Sequence, residues 1–234
     1  MRTQQLLATL PPEDQKRLLP NLKPVTLSLG DVIYESGARL DSVYFPTTAI
    51  ISLLYMMENG SSAEMGIVGN DGIVGISLFL GGESAPNRAV VQMAGHAWRM
   101  SAKVLREEFA RGDALHQMLL RYTQALITQI SQTAVCNRLH SVEQRLCRWL
   151  LLIQDRTKLE ELPMTQELIA TMLGGRREGV TIASKHLQAA GWIQYVRGHI
   201  RIVDRQGLEG HVCECYGIVQ AELARLLSVD QRRS

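Results

Sequence analysis

Residues 165–191 read TQELIATMLGGRREGVTIASKHLQAAG, and this stretch decides the fold of the C-terminal part of the chain. Thr165 is suited to cap a short amphipathic helix, and the glycine pair that begins at Gly174 separates this helix from a second one. Ala170 is small where the two helices would cross, and Val180 is an apolar plug in the second helix. Because glycine also tolerates the positive φ of a tight turn, the spacing predicts a helix-turn-helix.

A predicted β-hairpin follows this motif. Residues 191–203 read GWIQYVRGHIRIV, in which two runs of alternating polar and apolar residues flank Arg197 and Gly198. A hairpin directly after a helix-turn-helix is typical of a wing that lies beside the second helix. The sequence therefore predicts a C-terminal winged helix.

Positive charge is concentrated in the predicted winged helix. The whole chain of 234 residues has a net charge of only +2. Between Met172 and Arg205, however, six Lys or Arg residues stand against two acidic ones, a local net charge of +4. Such a local excess indicates a nucleic-acid-binding surface, because it attracts the phosphate backbone.

The second predicted helix carries side chains that are able to read bases. Arginine can donate two hydrogen bonds to guanine O6 and N7, and glutamate can accept one from cytosine N4. Arg177 and Glu178 begin this helix, and the hydroxyl, amide and basic groups around them suit phosphate contacts. The residues expected to contact DNA are Thr165, Gln166, Arg176, Arg177, Glu178, Thr181, Ser184, Lys185, Arg197, His199 and Arg201.

Short runs rich in β-branched and aromatic residues occupy the chain between Val25 and Met100. They read VTLSL, DVIYE, SVYFP, AIISLLYMM, AEMGIVG, RAVVQM and HAWRM, and breaks containing glycine, asparagine or proline separate them. Closely spaced strands with turn signals predict an antiparallel sandwich or barrel. Together with the helices elsewhere, this indicates an α+β fold.

Helices are predicted on both sides of the strands. Residues 11–19 suit a short helix, because prolines and acidic residues favour its first turn. Residues 113–138 contain neither glycine nor proline after Asp113 and predict a long helix. We expect this helix to form a homodimer, although packing on its own domain is the alternative. The expected seam, spaced alternately by four and three, is Leu115, Leu119, Tyr122, Leu126, Gln129, Thr133 and Cys136.

A boundary between domains is predicted at residues 137–140. Ser141 and Gln144 form a capping-box pattern that starts a new helix over residues 141–156. Residues 155–163, DRTKLEELP, have the composition of a turn. The predicted parts of the chain are a strand-rich domain with short flanking helices (1–112), a dimerisation helix with its hinge (113–140) and a winged helix (141–234).

Composition places the chain among soluble globular proteins, with 46% hydrophobic and 21% charged residues. The N-terminus lacks the unbroken apolar run of a secretory signal, so we expect a cytoplasmic protein that does not contact a membrane. We find no nucleophile elbow, P-loop, HExxH or GxGxxG motif and therefore expect no enzyme.

In these features the sequence resembles the Crp/Fnr family of bacterial regulators, which join a β-roll sensor domain, a long dimer helix and a C-terminal winged helix. The resemblance covers nearly the whole chain. Its most specific part is Arg177-Glu178 followed by Val180, which matches the family's Arg-Glu-x-Val at the start of the recognition helix. It implies that Arg177 and Glu178 read bases, that Thr165 holds a phosphate, and that RNA polymerase is a further partner.

The recognition helix also departs from the family. The family's second arginine, four residues after the glutamate, falls here on Ile182. An isoleucine side chain can contact only an apolar group on a base, such as the methyl group of thymine. We therefore expect a half-site that differs from that of the best-known members.

The cyclic-nucleotide pocket of the family is only partly present. Family members that bind cyclic nucleotides use a Gly-Glu pair and an Arg-Ser pair, which correspond here to Gly75 with Ile76 and Arg88 with Ala89. Of a hydroxylated pair on the dimer helix, only Ser131 is kept. The candidate effector residues are thus Gly75, Arg88, Ala89 and Ser131, and cyclic AMP is not expected. Another small anion at Arg88, and no diffusible ligand at all, both remain open.

The four cysteines are Cys136, Cys147, Cys213 and Cys215, and we expect them to be reduced. Iron-sulfur sensing in the resembled family relies on N-terminal cysteines, which this chain does not have. We expect no metal and no cofactor, although a site formed by Cys213, Cys215 and His211 is an open alternative.

These predictions combine into a homodimeric transcription regulator that binds a palindromic site on double-stranded DNA. Control by a small anionic effector in the β-roll is left open. The alternative is a ligand-binding or protein-binding dimer whose winged helix contacts a protein instead of an operator.

Overall fold

A computed structural model describes residues 4–227 of the chain. Two short helices, α1 (Gln5–Ala8) and α2 (Pro12–Leu18), precede the strands. Helix α2 confirms the helix predicted at residues 11–19, whereas α1 has no counterpart in the sequence prediction. The seven predicted strands are all present, as β1 (Lys23–Leu27), β2 (Val32–Tyr34), β3 (Ser42–Pro46), β4 (Ile50–Met56), β5 (Ser62–Val68), β6 (Arg88–Met93) and β7 (Gly95–Ser101).

The strands form two antiparallel sheets that enclose an apolar core. One sheet has the order β1-β7-β3 and the other the order β2-β6-β4-β5. Because side chains alternate along each strand, Ile51, Leu53 and Val91 point into the roll, where they belong to one core with Leu119 and Leu126. The N-terminal half of the chain is thus a β-roll, as the sequence predicts.

Two helices follow the roll, α3 (Ala102–Ala110) and α4 (Ala114–Leu139). Each begins at a side-chain cap. Ser101 Oγ accepts a hydrogen bond from the N–H of Val104 at 3.3 Å, and Asp113 Oδ1 accepts one from Leu115 at 3.3 Å. The long helix predicted over residues 113–138 is confirmed in position and length.

The predicted seam of α4 is wrong as a dimer surface. Leu115, Leu119, Tyr122 and Leu126 are buried in the core of the β-roll, and Cys136 is buried against Cys213 of the C-terminal region. Along this face the helix packs on its own chain, which is the alternative left open by the sequence. Apolar residues spaced alternately by four and three occur on any helix that is buried along one side. This spacing therefore does not distinguish a helix that packs in a core from one that forms a dimer interface.

The C-terminal region begins with α5 (Val142–Thr157) at the predicted capping box. Ser141 Oγ accepts from the N–H of Gln144 at 3.2 Å, and Gln144 Oε1 accepts from the N–H of Ser141 at 3.3 Å. The remaining elements are β8 (Glu161–Pro163), α6 (Gln166–Leu173), α7 (Arg177–Ala189), β9 (Ile193–Val196), β10 (His199–Ile202), α8 (Arg205–His211) and α9 (Glu214–Leu227).

The segment 155–163 is not the simple turn that its composition predicts. It contains β8, which pairs with β10 and completes a small sheet of order β8-β10-β9. Leu162, in the centre of β8, is fully buried and packs in the core of the winged helix. One buried leucine among charged residues leaves too weak a pattern to be recognised in the sequence.

The winged helix packs on the outer face of sheet β2-β6-β4-β5. Ile50, Ile67 and Met93 of this sheet share one apolar core with Leu150 of α5 and Ile169 of α6. The C-terminal region therefore rests directly on the β-roll.

Buried polar contacts reinforce this interface between the β-roll and the winged helix. Trp149 Nε1 donates to Glu64 Oε1 at 3.0 Å. Arg156 lies 2.8 Å from Asp71 Oδ2 through Nη2, and the same nitrogen donates to Gln129 Oε1 at 3.0 Å. Helix α5 is thus hydrogen-bonded to both the roll and α4.

Helix α9 packs along α4, and Gln124 Nε2 of α4 donates to Glu222 Oε1 of α9 at 3.3 Å. This brings the start of α9 to the C-terminal end of the long helix. Among the helices described between residues 4 and 227, none combines the length and apolar character needed to span a bilayer.

Candidate nucleic-acid interface

The two helices of the motif meet at the turn that the sequence predicts. Thr165 Oγ1 caps α6 by accepting a hydrogen bond from the N–H of Leu168 at 3.2 Å. The helix ends at Gly174, whose φ of +58° is a left-handed conformation that favours glycine. Ala170 and Val180 are buried in the core between the helices, as expected.

The exposed face of α7 presents Glu178, Ile182 and Lys185, which the helix repeat places on one side. Arg177 stands at the N-terminal end of this face with a largely exposed side chain, 4.0 Å from Glu167 Oε2. Ile182 is 56% exposed, an unusual position for a large apolar residue on a helix that buries its other side. The face combines an arginine, a glutamate, one apolar group and one lysine.

Two residues predicted in this face have other roles. Ser184 is fully buried, and its Oγ has no hydrogen-bond partner, so the predicted phosphate contact is wrong. Position 184 lies one turn after Val180 and beside Ala183, on the packed side of the helix. Thr181 Oγ1 donates to Gln166 Oε1 at 2.8 Å, which ties α7 to α6. Thr181 and Gln166 therefore orient the two helices.

The hairpin forms the predicted wing beside α7. Its turn is made by Arg197 and Gly198, both with positive φ, as in the two-residue turns that match the twist of a hairpin. Arg197 is exposed, His199 Nδ1 lies 3.1 Å from Glu161 Oε1, and Arg201 Nη2 lies 3.6 Å from Glu160 Oε2. Exposed pairs of this kind contribute little stability, so Arg197 and Arg201 remain available to phosphate and the His199 ring remains available as a hydrogen-bonding group.

One of the arginines that contribute to the local positive charge forms ion pairs within the domain. Arg205 Nη2 lies 2.7 Å from Asp155 Oδ1, and Arg205 Nε lies 2.6 Å from Glu209 Oε1. Tyr216 donates to the other oxygen of Asp155 at 2.9 Å. Arg205 therefore joins α5, α8 and α9 inside the domain and adds little to the outer positive surface.

The candidate effector residues lie in different surroundings. Gly75 has a φ of +108° and packs against Val43 at the start of a short 3₁₀ turn. Ala89 is fully buried in the core of the roll and offers no surface to a ligand, whereas Ser131 is exposed on α4. The fourth residue, Arg88, is half-buried.

Arg88 is the one charged group among these four residues. Its Nε lies 3.0 Å from Glu35 Oε2, but off the direction of the N–H bond, and this buried nitrogen makes no hydrogen bond. The guanidinium of Arg88 is thus ion-paired with an exposed carboxylate, and a small anion would bind there by displacing Glu35.

The structure separates His211 from Cys213 and Cys215. His211 Nε2 lies 2.7 Å from Glu143 Oε1, while the two thiols are buried beside Cys136 and His140. The sequence gives little sign of this grouping, because Cys136 and Cys213 are 77 positions apart. The only local sign is that Cys136 and His140 lie one helical turn apart at the end of α4.

Comparison with known proteins agrees with both halves of the fold. Residues 24–111 match the cyclic nucleotide-binding domain, and residues 144–210 match the Crp-like helix-turn-helix domain. A sequence search of curated proteins finds no match.

Several solved structures resemble the whole chain. FixK2 from Bradyrhizobium japonicum is 18% identical with a TM-score of 0.71, over 82% of this chain and 98% of that one. A Crp/Fnr-family putative transcriptional regulator from Eubacterium rectale is 18% identical with a TM-score of 0.64, over 90% and 98%. CLP from Xanthomonas campestris, described as a c-di-GMP responsive global regulator, is 16% identical with a TM-score of 0.65, over 80% and 96%. With its cyclic nucleotide-binding domain, long helix and Crp-like helix-turn-helix, this chain belongs to the Crp/Fnr family of transcription regulators.

Proposed function

We propose that the protein acts as a homodimer that binds a palindromic DNA site through α7 and the wing. The observation that carries this proposal is the exposed face of α7, where Arg177, Glu178, Ile182 and Lys185 stand free of the domain core. Arg177 and Glu178 are the base readers, and Ile182 contacts the methyl group of a thymine. Because DNA is the target, the proposed place of action is the cytoplasm.

Phosphate contacts frame this base-reading face on two sides. Thr165 is exposed at the N-terminus of α6, where the free N–H groups of a helix favour a phosphate. On the other side, the wing offers Arg197, His199 and Arg201. Contacts of this kind position the protein on the duplex but do not select a sequence.

The dimer in this proposal uses a different face of α4 from the one that the sequence indicates. Leu120 and Ile127 are 41% and 58% exposed, and they stand seven residues apart on one side of the helix. Ala134 continues this line after another seven residues and is also exposed. We call this line the outer stripe; Gln124 and Ser131 lie between its members and Arg138 follows the last one, and all three are exposed.

A two-fold axis along the outer stripe pairs two copies of α4. Binding in successive major grooves requires the two recognition helices to lie on one side of the proposed dimer, with centres about 34 Å apart. The apolar members of the outer stripe recur every seven residues with polar residues at the intermediate positions, so the proposed seam combines apolar and polar contacts.

For the effector, we propose a small anion at Arg88. The support is the half-buried guanidinium of Arg88, whose Nε makes no hydrogen bond and whose ion-pair partner, the exposed carboxylate of Glu35, a bound anion would displace. RNA polymerase is a proposed further partner on the strength of family membership alone.

The test of DNA binding is selection of bound duplexes from a random pool by the full chain. The expected result is enrichment of a two-fold-symmetric sequence with half-sites about 10 base pairs apart. A variant with Arg177 and Glu178 both changed to Ala serves as the control, because it leaves the core and the wing intact. Failure of the wild-type chain to enrich any palindrome would favour the alternative in which the winged helix contacts a protein.

A further inference from the structure

The end of α4 and the start of α9 bring together a set of metal-binding side chains. Cys136, His140, Cys213 and Cys215 each offer one ligand atom, and the four atoms all lie within 4.8 Å of one another. Cys136 Sγ is 3.5 Å from Cys213 Sγ, and Cys215 Sγ is 3.6 Å from His140 Nδ1. The three cysteines are buried and form a cluster of their own, separate from the two large apolar cores.

These separations fit a single tetrahedral ion. Zinc binds thiolate sulfur at about 2.3 Å, which places two sulfurs of a tetrahedral site about 3.8 Å apart. An iron-sulfur cluster requires wider spacing, because each of its cysteines binds a different iron atom. A disulfide between Cys136 and Cys213 would explain only two of the four side chains.

The surroundings of the four ligands also fit a metal. His140 directs Nδ1 at Cys215 and holds Nε2 3.4 Å from Glu214 Oε2. Histidines that bind metals commonly donate their second ring N–H to a carboxylate, which fixes the orientation of the ring.

Two arginines lie beside the cluster and supply positive charge. Arg145 and Arg148 both act electrostatically on Cys136. The Nε atom of each arginine is buried without a hydrogen-bond partner. Zinc with three thiolates and one imidazole carries one net negative charge, which these guanidinium groups would offset.

We propose that Cys136, His140, Cys213 and Cys215 bind one zinc ion. The ion ties the end of the long helix and its hinge residue to the start of α9. Cys136 precedes and Cys213 follows residues 144–210, the segment that matches the helix-turn-helix domain, so the ion closes the chain around this segment. The site goes beyond the proposed DNA-binding function and does not depend on it.

The test measures metal in the full chain purified under reducing conditions. Inductively coupled plasma mass spectrometry is expected to find one zinc ion per chain. After removal of zinc with a chelator, added Co²⁺ should give thiolate-to-cobalt charge-transfer bands and the visible bands of a tetrahedral ion. Added zinc should then remove these bands.

Matched variants identify the ligands. Cys213→Ser and His140→Gln should lose the bound zinc and the cobalt spectrum, whereas Cys147→Ala and His211→Gln should keep both. His140→Cys supplies a fourth thiolate and should restore binding, which distinguishes a lost ligand from a misfolded chain. Circular dichroism checks that each variant is folded.

Three results would overturn the zinc site. The first is a folded, reduced chain without zinc and without cobalt bands. The second is a Cys213→Ser variant that binds as the wild type does. The third is a freshly purified chain in which Cys136 and Cys213 form a disulfide, or one that holds iron and sulfide. None of these readouts uses DNA, so they are independent of the proposed function.

Discussion

At the scale of single residues, the face of α7 depends on which side chains the helix exposes. Arg177 has an exposed side chain that pairs only loosely with Glu167. Ser184 is polar yet fully buried on the opposite side. Replacement of Arg177 is therefore expected to change DNA binding, whereas replacement of Ser184 is expected to change stability.

Arg177→Ala is expected to weaken binding to the selected DNA site by about 1–3 kcal/mol and to relax the choice of one base pair, because a bidentate contact with guanine is lost. Binding curves on the selected site and on a set of single-base variants measure this effect. Lys185→Ala is the control, since loss of a phosphate contact should weaken all sequences equally and lower the salt dependence. Equal losses on all sequences for Arg177→Ala would contradict base reading.

Ser184→Ala is expected to raise the free energy of unfolding by about 1 kcal/mol without changing DNA affinity. The substitution removes a buried hydroxyl without a partner and replaces it with the best helix-forming residue. Urea unfolding measures the change. Thr181→Val is the contrasting variant, because it breaks the hydrogen bond to Gln166 and should destabilise the protein. A loss of DNA affinity in Ser184→Ala would show that the hydroxyl reaches DNA after all.

At the scale of elements, the two sides of α4 have different surroundings. Its inner side, including Leu119 and Leu126, completes the core of the β-roll. Its outer stripe, including Leu120 and Ile127, remains exposed in the single chain. A helix of 26 residues is long enough to cover the roll and still offer a partner helix several turns.

Ile127→Glu is expected to convert the dimer into a monomer and to abolish tight binding to a palindromic site. A glutamate at the centre of the outer stripe would place two like charges against each other across the two-fold axis. Analytical ultracentrifugation measures the association state. Leu159→Glu is the control, because Leu159 is also exposed and apolar but lies outside α4. A dimer that persists in Ile127→Glu would locate the interface elsewhere.

At the scale of the whole molecule, the β-roll and the winged helix are joined by a buried carboxyl group. Glu64 accepts hydrogen bonds from Ser52 at 2.6 Å within the roll and from Trp149 at 3.0 Å in α5. Burial raises the pKa of Glu64 to about 7, although these hydrogen bonds and the charges of Arg148 and Arg156 lower it in part. The contact between the β-roll and the winged helix therefore contains a carboxyl group whose pKa lies near neutrality.

The pH dependence of stability follows from this raised pKa. The folded chain keeps a proton on Glu64 that the unfolded chain releases near pH 4.5, so the stabilisation is full below that pH. It is lost as pH rises through about 7. The free energy of unfolding should fall over this range by up to about 3 kcal/mol.

Glu64→Gln is expected to remove this fall, because an amide does not titrate but keeps an oxygen that accepts from Trp149. Urea unfolding of both proteins between pH 5 and pH 8 measures the difference. Glu107→Gln, an exposed glutamate on α3, should leave the wild-type profile unchanged. An identical pH profile in Glu64→Gln and the wild type would show that Glu64 does not control the interface.

The elements that the sequence predicts well depend on local chemistry. The cap at Thr165, the capping box at Ser141 and the left-handed turn at Gly174 each involve residues within a few positions of one another. The seven strands are likewise bounded by local turn residues. Their periodicity and breaks therefore suffice to predict an antiparallel sandwich or barrel followed by a winged helix, and the resemblance to the Crp/Fnr family narrows the first to a β-roll.

Which face of a helix is covered is decided by residues far away in the sequence. The alternating spacing of four and three in α4 is satisfied by the core of the roll, which leaves the outer stripe exposed. Ser184 is buried for the same reason, since packing around Val180 overrides the polarity of one hydroxyl. Burial is a property of the assembled domains, and local pattern does not specify it.

The sequence by itself determined the helix-turn-helix and its wing and placed Arg177 and Glu178 at the start of the second helix, because caps, glycine turns and helical spacing act over short distances. Only the tertiary structure decided that Cys136 and His140 join Cys213 and Cys215. The physical reason is that α9 returns to the end of α4 after residues 144–210, the segment that matches the helix-turn-helix domain. Apolar and polar contacts along both helices, and not the spacing of the cysteines, bring the four side chains together.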